Sequence, residues 1–416
     1  MSTKNKTEIM APAGSWESLT AALKAGANSI YFGVEQLNMR SRAANNFKLA
    51  ELPKIVKLCN KKNVKTYLTV NIVLYDHEEK LMKKIIDAAK DAGVTAVIAG
   101  DIAVIQYAHE VGMEIHISTQ ANISNIGAVK FFSQFADVVV LARELTLNQI
   151  KNISEEIKKQ NIRGPKGNIV QIELFAHGAL CVAISGKCHM SLATYNASAN
   201  RGACLQNCRR SYRVIDEDTG EELILDNKYV MSPKDLCTIG FMDQLMSAGV
   251  TVFKLEGRGR SADYVETVVR IYRESADCVE SGNYTKEKIE TWTKDLESVF
   301  NRGFWHGGYY LGKQLGEWSG VYGSRATKEN IFLGTATKYF AKSKIGEFQM
   351  ETGTLTVGDD ILITGPTTGA LKLTIEEMYV DGKKSDQAKK GNLITIKTDT
   401  RIRKNDKLFV KRNKKI

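Results

Sequence analysis

Eight short apolar runs, each followed by a stretch of helical or loop-like character, constrain this chain more than any other feature. The runs are Glu8–Ala11, Ser29–Gly33, Lys65–Asn71, Ala96–Gly100, Glu114–Ser118, Asp137–Leu141, Ile169–Phe175 and Thr251–Leu255. Several, such as Val138-Val139-Val140, are apolar without alternation, as strands covered on both faces must be. Between the runs, apolar residues recur at helical spacing. Leu81, Ile85, Ile86 and Ala89 do so in Leu81–Ala92, and Val265, Val268, Val269 and Tyr272 in Ala262–Val279, where Ser261 is a fitting N-cap. Leu236–Ser247 is a further helix candidate. Eightfold strand–helix alternation predicts an α/β fold of the (β/α)8 TIM-like barrel type. An open doubly wound sheet is the other arrangement, but the first turn, Ala11-Pro12-Ala13-Gly14-Ser15, carries no G-x-G-x-x-G phosphate fingerprint.

A chain of 416 residues holds two or three domains. The reading is a barrel-type catalytic domain over 1–280, with a cysteine-rich βα-loop insertion at 176–228. A connecting segment rich in glycine and aromatics follows over 281–330, then a small all-β barrel over 331–416. The last unit is read from short strand patterns at Ile331–Tyr339, Ile345–Met350, Thr354–Thr356, Asp360–Thr364, Leu371–Tyr379, Leu393–Lys397 and Lys407–Val410. It is also basic. Residues 371–416 hold 14 Lys or Arg against 6 Asp or Glu, or +8 of the chain's net +11. Charge of this sign suits nucleic-acid phosphates, and a solvated surface is the plainer explanation.

The N-terminal residues lack the apolar core of a signal peptide, and no apolar run is long enough to cross a membrane. The expectation is therefore a cytoplasmic protein with no membrane partner, whose thiols stay reduced. That matters because four of the seven cysteines, Cys181, Cys188, Cys204 and Cys208, crowd into one stretch with the spacing C-x6-C-x15-C-x3-C. Their neighbours Gly186, Lys187, Gly202, Gln206 and Arg209 are not core composition. Four thiolates suit zinc or an iron–sulfur cluster, and the single close pair favours an iron–sulfur cluster over zinc. The stretch falls after the seventh strand, in a βα loop, on the face where barrel active sites sit. Within it, Tyr212–Leu225 reads as a hairpin turning at Asp216–Gly220.

The strand ends supply the remaining candidates. Arg40 and Arg42 follow strand two, Asn71 closes strand three, and Gln120 follows strand five. Arg143 and Glu144 follow strand six. Glu173 and His177 lie on strand seven, and Lys254, Glu256, Arg258 and Arg260 on or after strand eight. Guanidinium groups at several loops suit an anionic ligand, because they grip carboxylate or phosphate in a fork. Lys254, Asn71 and Gln120 join them as ligand-binding candidates. Glu173, His177 and Glu256 are the acid–base candidates. By alternation, Glu173, Phe175 and His177 are expected on one side of their strand. A protease of the usual kinds is not written here, as there is no H-E-x-x-H and no G-x-S-x-G. A Cys181 nucleophile beside His177 or His189 is the remaining peptidase arrangement.

The stretch Glu173-Leu-Phe175-Ala-His177-Gly178-Ala-Leu-Cys181, continuing to Gly186-Lys-Cys188-His-Met190-Ser191, resembles the signature of the collagenase-like peptidase family U32. Lys254-Leu-Glu256-Gly257-Arg258-Gly-Arg260-Ser261 and Ala11-Pro12-Ala13-Gly14-Ser15 fit two further blocks of that family, and the likeness spans about residues 7 to 325. The resemblance is nearest to the prephenate-dependent members that hydroxylate a tRNA uridine. It implies an oxygen-independent hydroxylase with a four-cysteine 4Fe-4S cluster and prephenate as co-substrate. The expected partner is tRNA, with ribosomal RNA as the alternative. A second copy of the chain or a paralogous chain is a further candidate partner. The two carboxylates of prephenate would suit a two-arginine clamp. Gly353-Thr-Leu-Thr-Val-Gly358-Asp359-Asp360-Ile-Leu-Ile also resembles the second-domain barrel of translation GTPases, which implies contact with RNA.

Overall fold

The computed structural model describes residues 7–42, 45–213, 215–222, 229–313 and 317–414. Strands β1 (Glu8–Pro12), β2 (Ser29–Phe32), β3 (Lys65–Val70), β4 (Ala96–Ala99), β5 (Glu114–Ile117), β6 (Val138–Val140) and β7 (Gln171–Gly178) are followed by β8 (Asp235–Cys237), β9 (Val250–Leu255) and β10 (Phe304–His306). The helices are α1 (Trp16–Lys24), α2 (Leu52–Asn60), α3 (Glu79–Asp91), α4 (Ile102–Glu110), α5 (Ile126–Phe132), α6 (Leu147–Lys159), α7 (Met190–Tyr195), α8 (Met242–Ser247), α9 (Ala262–Glu280) and α10 (Lys286–Glu297). Strands β1 to β7 pair in parallel with their neighbours in chain order. Strand β9 pairs in parallel with both β7 and β1 and closes the ring. This is the (β/α)8 barrel that the alternation predicts.

Local chemistry sets the helix starts. Ser15 and Ser18 form a reciprocal capping box on α1, and Ser261 Oγ accepts from Tyr264 N at the start of α9. In α3 the buried face is Met82, Ile85, Ile86 and Ala89, an i, i+3, i+4, i+7 stripe against the strands. A layer of Met10, Tyr31, Tyr67, Ala96, Ile98 and Val252 fills the lumen.

Two expected elements change. Leu236–Ser247 is not one helix. Asp235–Cys237 forms β8, antiparallel to the end of β7 through His177–Cys237 and Gly178–Leu236, and parallel to β10. Helix α8 begins only at Met242. Open backbone groups on β7 and β10 satisfy these residues as a strand, and tertiary pairing outweighs the local periodicity. Strand β10 and the buried Trp305 also tie the aromatic connecting stretch to the barrel, where Tyr310 donates to Phe175 O at 2.9 Å.

The segment between β7 and β8 carries the four cysteines and lies over the barrel's C-terminal end. Val73 N donates to Asn200 O (3.2 Å), Arg42 N to Gly202 O (3.3 Å), and Asn122 Nδ2 to Ser185 O (3.0 Å). It therefore touches the loops after β2, β3 and β5. Gly202, at φ +85°, is required there, since a Cβ would collide with Ser41 Oγ and lie 2.6 Å from Asn38 O. An Ile215–Glu222 bridge forms part of the expected hairpin. Val214 and residues 223–225 lie outside the described residues.

The C-terminal strands are β11 (Lys328–Phe340), β12 (Ile345–Met350), β13 (Thr354–Thr356), β14 (Asp360–Gly365), β15 (Gly369–Thr374), β16 (Met378–Val380), β17 (Lys383–Lys384), β18 (Gln387–Lys389), β19 (Leu393–Lys397) and β20 (Lys407–Asn413). Their antiparallel order is β15-β14-β20-β11-β12-β19-β16-β17, with β13 and β18 paired separately. They enclose a second hydrophobic core that includes Leu333, Phe348, Ile361, Ile394 and Leu408. Leu371–Tyr379 is two strands rather than one, because β15 pairs with β14 whereas β16 pairs with β19. This unit rests on α1 and α9. Lys372 Nζ lies 3.0 Å from Asp263 Oδ1 and 2.6 Å from Glu266 Oε2, and Lys411 Nζ lies 3.3 Å from Asp263 Oδ2. Asn330 Nδ2 donates to the same Asp263 at 3.0 Å. Part of the basic excess read from the sequence is thus engaged in docking. No helix among the described residues is long and apolar enough to cross a membrane.

Candidate functional site: the barrel mouth beneath the cysteine insertion

Inward positions of the strands stack polar side chains in two levels. At the lower level Glu173, fully buried on β7, receives Lys254 Nζ at 2.8 Å from β9 and His116 Nδ1 at 3.2 Å from β5. The His116 ring lies against Tyr67 at 4.3 Å, and Tyr67 donates to Glu8 Oε1 at 2.7 Å. Burial pushes the Glu173 carboxyl up, but Lys254 and His116 outweigh it and hold the group below its ordinary range. The charges of this cluster are matched, with His116 Nε2 left buried without a hydrogen-bond partner.

The upper level is the mouth. Glu256, just past β9, receives Arg40 Nη2 at 2.7 Å and lies 3.1 Å from the Tyr31 hydroxyl. Burial would raise its carboxyl, yet Arg40, Arg258 and Arg143 bring it down to about 2. Arg258 is buried across the mouth and donates to Asn38 Oδ1 (3.0 Å) and Thr69 Oγ1 (3.1 Å). It can lie there because Gly33 has no side chain in its path. Burial lowers its guanidinium to about 10, so it stays charged at neutral pH. Arg143 stacks on Phe175 at 4.1 Å, and its buried Nε has no hydrogen-bond partner. Three guanidiniums thus act on one carboxylate, Arg40 by contact and Arg143 and Arg258 at longer range. Asn71 accepts from Met39 N (3.2 Å) and donates to Gln120 Oε1 (3.4 Å), while Ser118 also donates to Gln120.

Above the mouth, the four cysteines are free thiols at partly exposed positions. Burial and the other three thiols raise Cys208 to about 11, although Arg209 acts against them. Arg40 feels Cys204 as well as Glu256, which links the insertion to the mouth. Cys208 in turn feels Cys181, Cys188 and Cys204 electrostatically. Among the described residues no three His, Cys, Asp or Glu side chains are drawn together closely enough to hold a metal ion. As a donor set, four thiols with no competing carboxylate fit an iron–sulfur cluster or zinc. Arg209 braces this segment by donating to Pro233 O at 2.8 Å and to Leu180 O.

The structure brings Arg40, Arg258, Glu256, Asn71 and Gln120 to the mouth, and Glu173 with Lys254 beneath them. It does not bring His177 there. The pairing of β7 with β9 slips between Phe175 and His177. The slip turns the imidazole away from the side shared by Glu173 and Phe175, contrary to simple alternation. His177 instead sits in a box of Tyr264, Tyr272 and Phe304, with Nδ1 3.3 Å from the Tyr272 hydroxyl. Burial lowers its pKa to about 3, so it is neutral at pH 7. Arg260 likewise leaves the mouth and stacks on Phe300 at 3.5 Å. Arg42 is exposed at the rim. Tyr31 and Asn38 were not legible as site residues. Tyr31's signal was its place on β2 two residues from Ser29, an inward parity shared with Tyr67 and Thr69 on β3. A groove of about 800 Å³ between α2 and α3, lined by Val56, Lys57, Ala88 and Asp91, lies on the outer helical ring away from these residues.

Residues 14–320 match Peptidase family U32. A protein of Porphyromonas gingivalis named "Collagenase" is 54% identical over 97% of this chain and 98% of its own length. "tRNA hydroxylation protein P1" of Bacillus subtilis is 31% identical over 95% of this chain and 93% of its own. "23S rRNA 5-hydroxycytidine C2501 synthase" of Escherichia coli is 31% identical over 72% of this chain and 44% of its own. With its barrel, its cysteine-bearing signature and these relatives, the chain belongs to peptidase family U32.

Proposed function

We propose that this chain hydroxylates a pyrimidine base in RNA, with the 5-position of the tRNA wobble uridine as the target and prephenate as co-substrate, without molecular oxygen. One observation carries the site assignment: Arg40 in direct contact, and Arg143 and Arg258 at longer range, all act on the one carboxylate Glu256, and Arg40 also feels Cys204 of the insertion. The surplus of two positive charges matches a dicarboxylate. Arg143 Nε, buried and unmatched, offers one donor to it. Glu256 holds Arg40 in place, and Tyr31 holds Glu256.

Cys181, Cys188, Cys204 and Cys208 would hold the 4Fe-4S cluster, with zinc as the alternative occupant. A bound cluster supplies one-electron chemistry. Iron content and visible absorbance separate the two occupants. Among the relatives, this chain spans 93% of the length of the Bacillus subtilis tRNA hydroxylation protein but 44% of that of the ribosomal-RNA enzyme. That favours tRNA.

The test is nucleoside mass spectrometry of tRNA and ribosomal RNA from a strain lacking the gene and any second copy. Loss of a 5-hydroxyuridine-derived nucleoside from tRNA supports the reading. Loss of hydroxycytidine from ribosomal RNA moves it to that substrate, and no change removes it. The second reading, peptide hydrolysis, is favoured by the relative named "Collagenase" at 54% identity. Its weakness is local: His177, one of the two expected bases for Cys181, is enclosed by aromatic rings, which leaves only the exposed His189. Degradation of gelatin by the purified chain, lost in Cys181→Ala, would establish it.

A further inference from the structure

We infer that the cysteine insertion, together with the loop after β3, is the RNA-docking surface, taking an unpaired RNA segment whose bases stack on Tyr75 and Tyr195. This rests on the RNA reading above and adds to it where, and in what form, the RNA is held. Residues 181–213 contain Lys187, Arg201, Arg209, Arg210 and Arg213 and no Asp or Glu; Arg201 pairs with Glu78 and Arg213 with Glu222, and the acidic residues of the insertion lie apart in the stretch 216–226. Lys187 and Arg210 are exposed without a carboxylate partner among the described residues. Large apolar side chains stand in water on the same segment, with Ile184 54% and Leu205 45% exposed. Mixed apolar and cationic exposure marks a binding face rather than a merely solvated one.

Two tyrosines give that face its specificity. Arg201 lies over the Tyr75 ring at 3.7 Å, and Arg210 over the Tyr195 ring at 5.0 Å. Yet Tyr75 is 53% exposed and Tyr195 47%. A ring with a guanidinium on it and half its surface open is a platform for a base, and the cation strengthens the stack. Neither platform is loose. Arg201 holds Glu78 through two bonds of 2.9 Å, which fixes the loop bearing Tyr75. Asn207 Nδ2 donates to Met190 O (3.2 Å) and Thr194 Oγ1 (2.9 Å), and Leu205 N donates to Ser191 Oγ (3.0 Å). These bonds join α7, which ends in Tyr195, to the segment of Cys204 and Cys208. Bases stacked on the tyrosines are therefore carried beside the thiols and the mouth. Stacking needs an unpaired strand, so the partner is a loop and not a duplex.

The test measures binding of a labelled stem-loop RNA with a uridine-rich loop, and of a duplex RNA of equal length, to the full chain by fluorescence anisotropy. Tyr75→Ala with Tyr195→Ala should weaken loop binding about tenfold or more, at high as well as low salt, and leave duplex binding unchanged. Tyr75→Phe with Tyr195→Phe should retain loop binding, which shows that the rings and not the fold are at issue. Unchanged loop affinity in the alanine variant overturns the inference, as does an equal loss for loop and duplex. A changed sedimentation state with unchanged RNA binding overturns it in favour of a protein interface. Unaltered RNA hydroxylation and binding in the alanine variant would remove this surface alone, whereas a parent chain that binds no RNA removes the RNA reading with it.

Discussion

The floor and the mouth of this barrel each set a buried glutamate against basic side chains, to opposite effect. At the floor, Glu173 is met by Lys254 and His116, and all three are buried. At the mouth, Arg40, Arg143 and Arg258 face Glu256 with positive charge left over. A matched buried pair fixes geometry, because removing either partner strands a charge in a low-dielectric interior. An unmatched group of like charges attracts an anion instead. The difference teaches where to look: at the residue type that is in excess, not at the most buried one.

That contrast can be broken, and the largest effect should come from above the mouth. Cys181→Ala or Cys204→Ala should abolish RNA hydroxylation and bound iron together, with the helical circular dichroism of the barrel retained. Full activity in an iron-free variant would dismiss the cluster. At the floor, Glu173→Ala should cost about 3–5 kcal/mol of stability, measured by urea unfolding, since Lys254 is left buried and unpaired. If stability holds and only turnover falls, Glu173 is chemical and the contrast between floor and mouth is wrong. At the mouth, Arg143→Met should raise the KM for prephenate about ten- to a hundredfold, as loss of a charged hydrogen bond does. An unchanged KM would move the anion elsewhere.

Acid gives a smaller effect with a definite sign. Glu256 is held at about 2, below its unfolded value near 4.3, so its contribution is present above pH about 4.3 and fades as pH falls toward 2. The loss should be about 2–3 kcal/mol, and thermal unfolding of Glu256→Gln across that window should follow a flatter pH curve. The smallest effect should come from replacing Lys389, Lys390, Arg401 and Arg403 with Gln. RNA affinity should drop a few-fold at low salt and little at high salt. No salt dependence at all would take the C-terminal unit out of RNA binding.

Much of this site could be read in the chain. The eight strands fell where continuous apolar runs required cover on both faces, and the cysteines stood out by clustering. Arg40, Glu256 and Arg258 were found because strand ends face one end of a parallel barrel. His177 was misplaced because the register of β7 against β9 slips by one residue, which no local pattern records. Leu236–Cys237 was read as helix because the partners of Leu236, Gly178 of β7 and Trp305 of β10, lie 58 and 69 residues away, a separation invisible to a short window.

The sequence by itself determined the barrel, the insertion at the end of β7 and the inventory of arginines and thiols, because periodicity and spacing are local properties. Which charges are neutralised was decided only by tertiary structure. Glu173 meets Lys254 across 81 residues and Arg40 meets Glu256 across 216. Lys372 and Lys411, counted in the sequence as free basic charge, are taken up by Asp263 of α9. Coulomb energy depends on distance and on the surrounding dielectric, and a linear chain specifies neither until it folds.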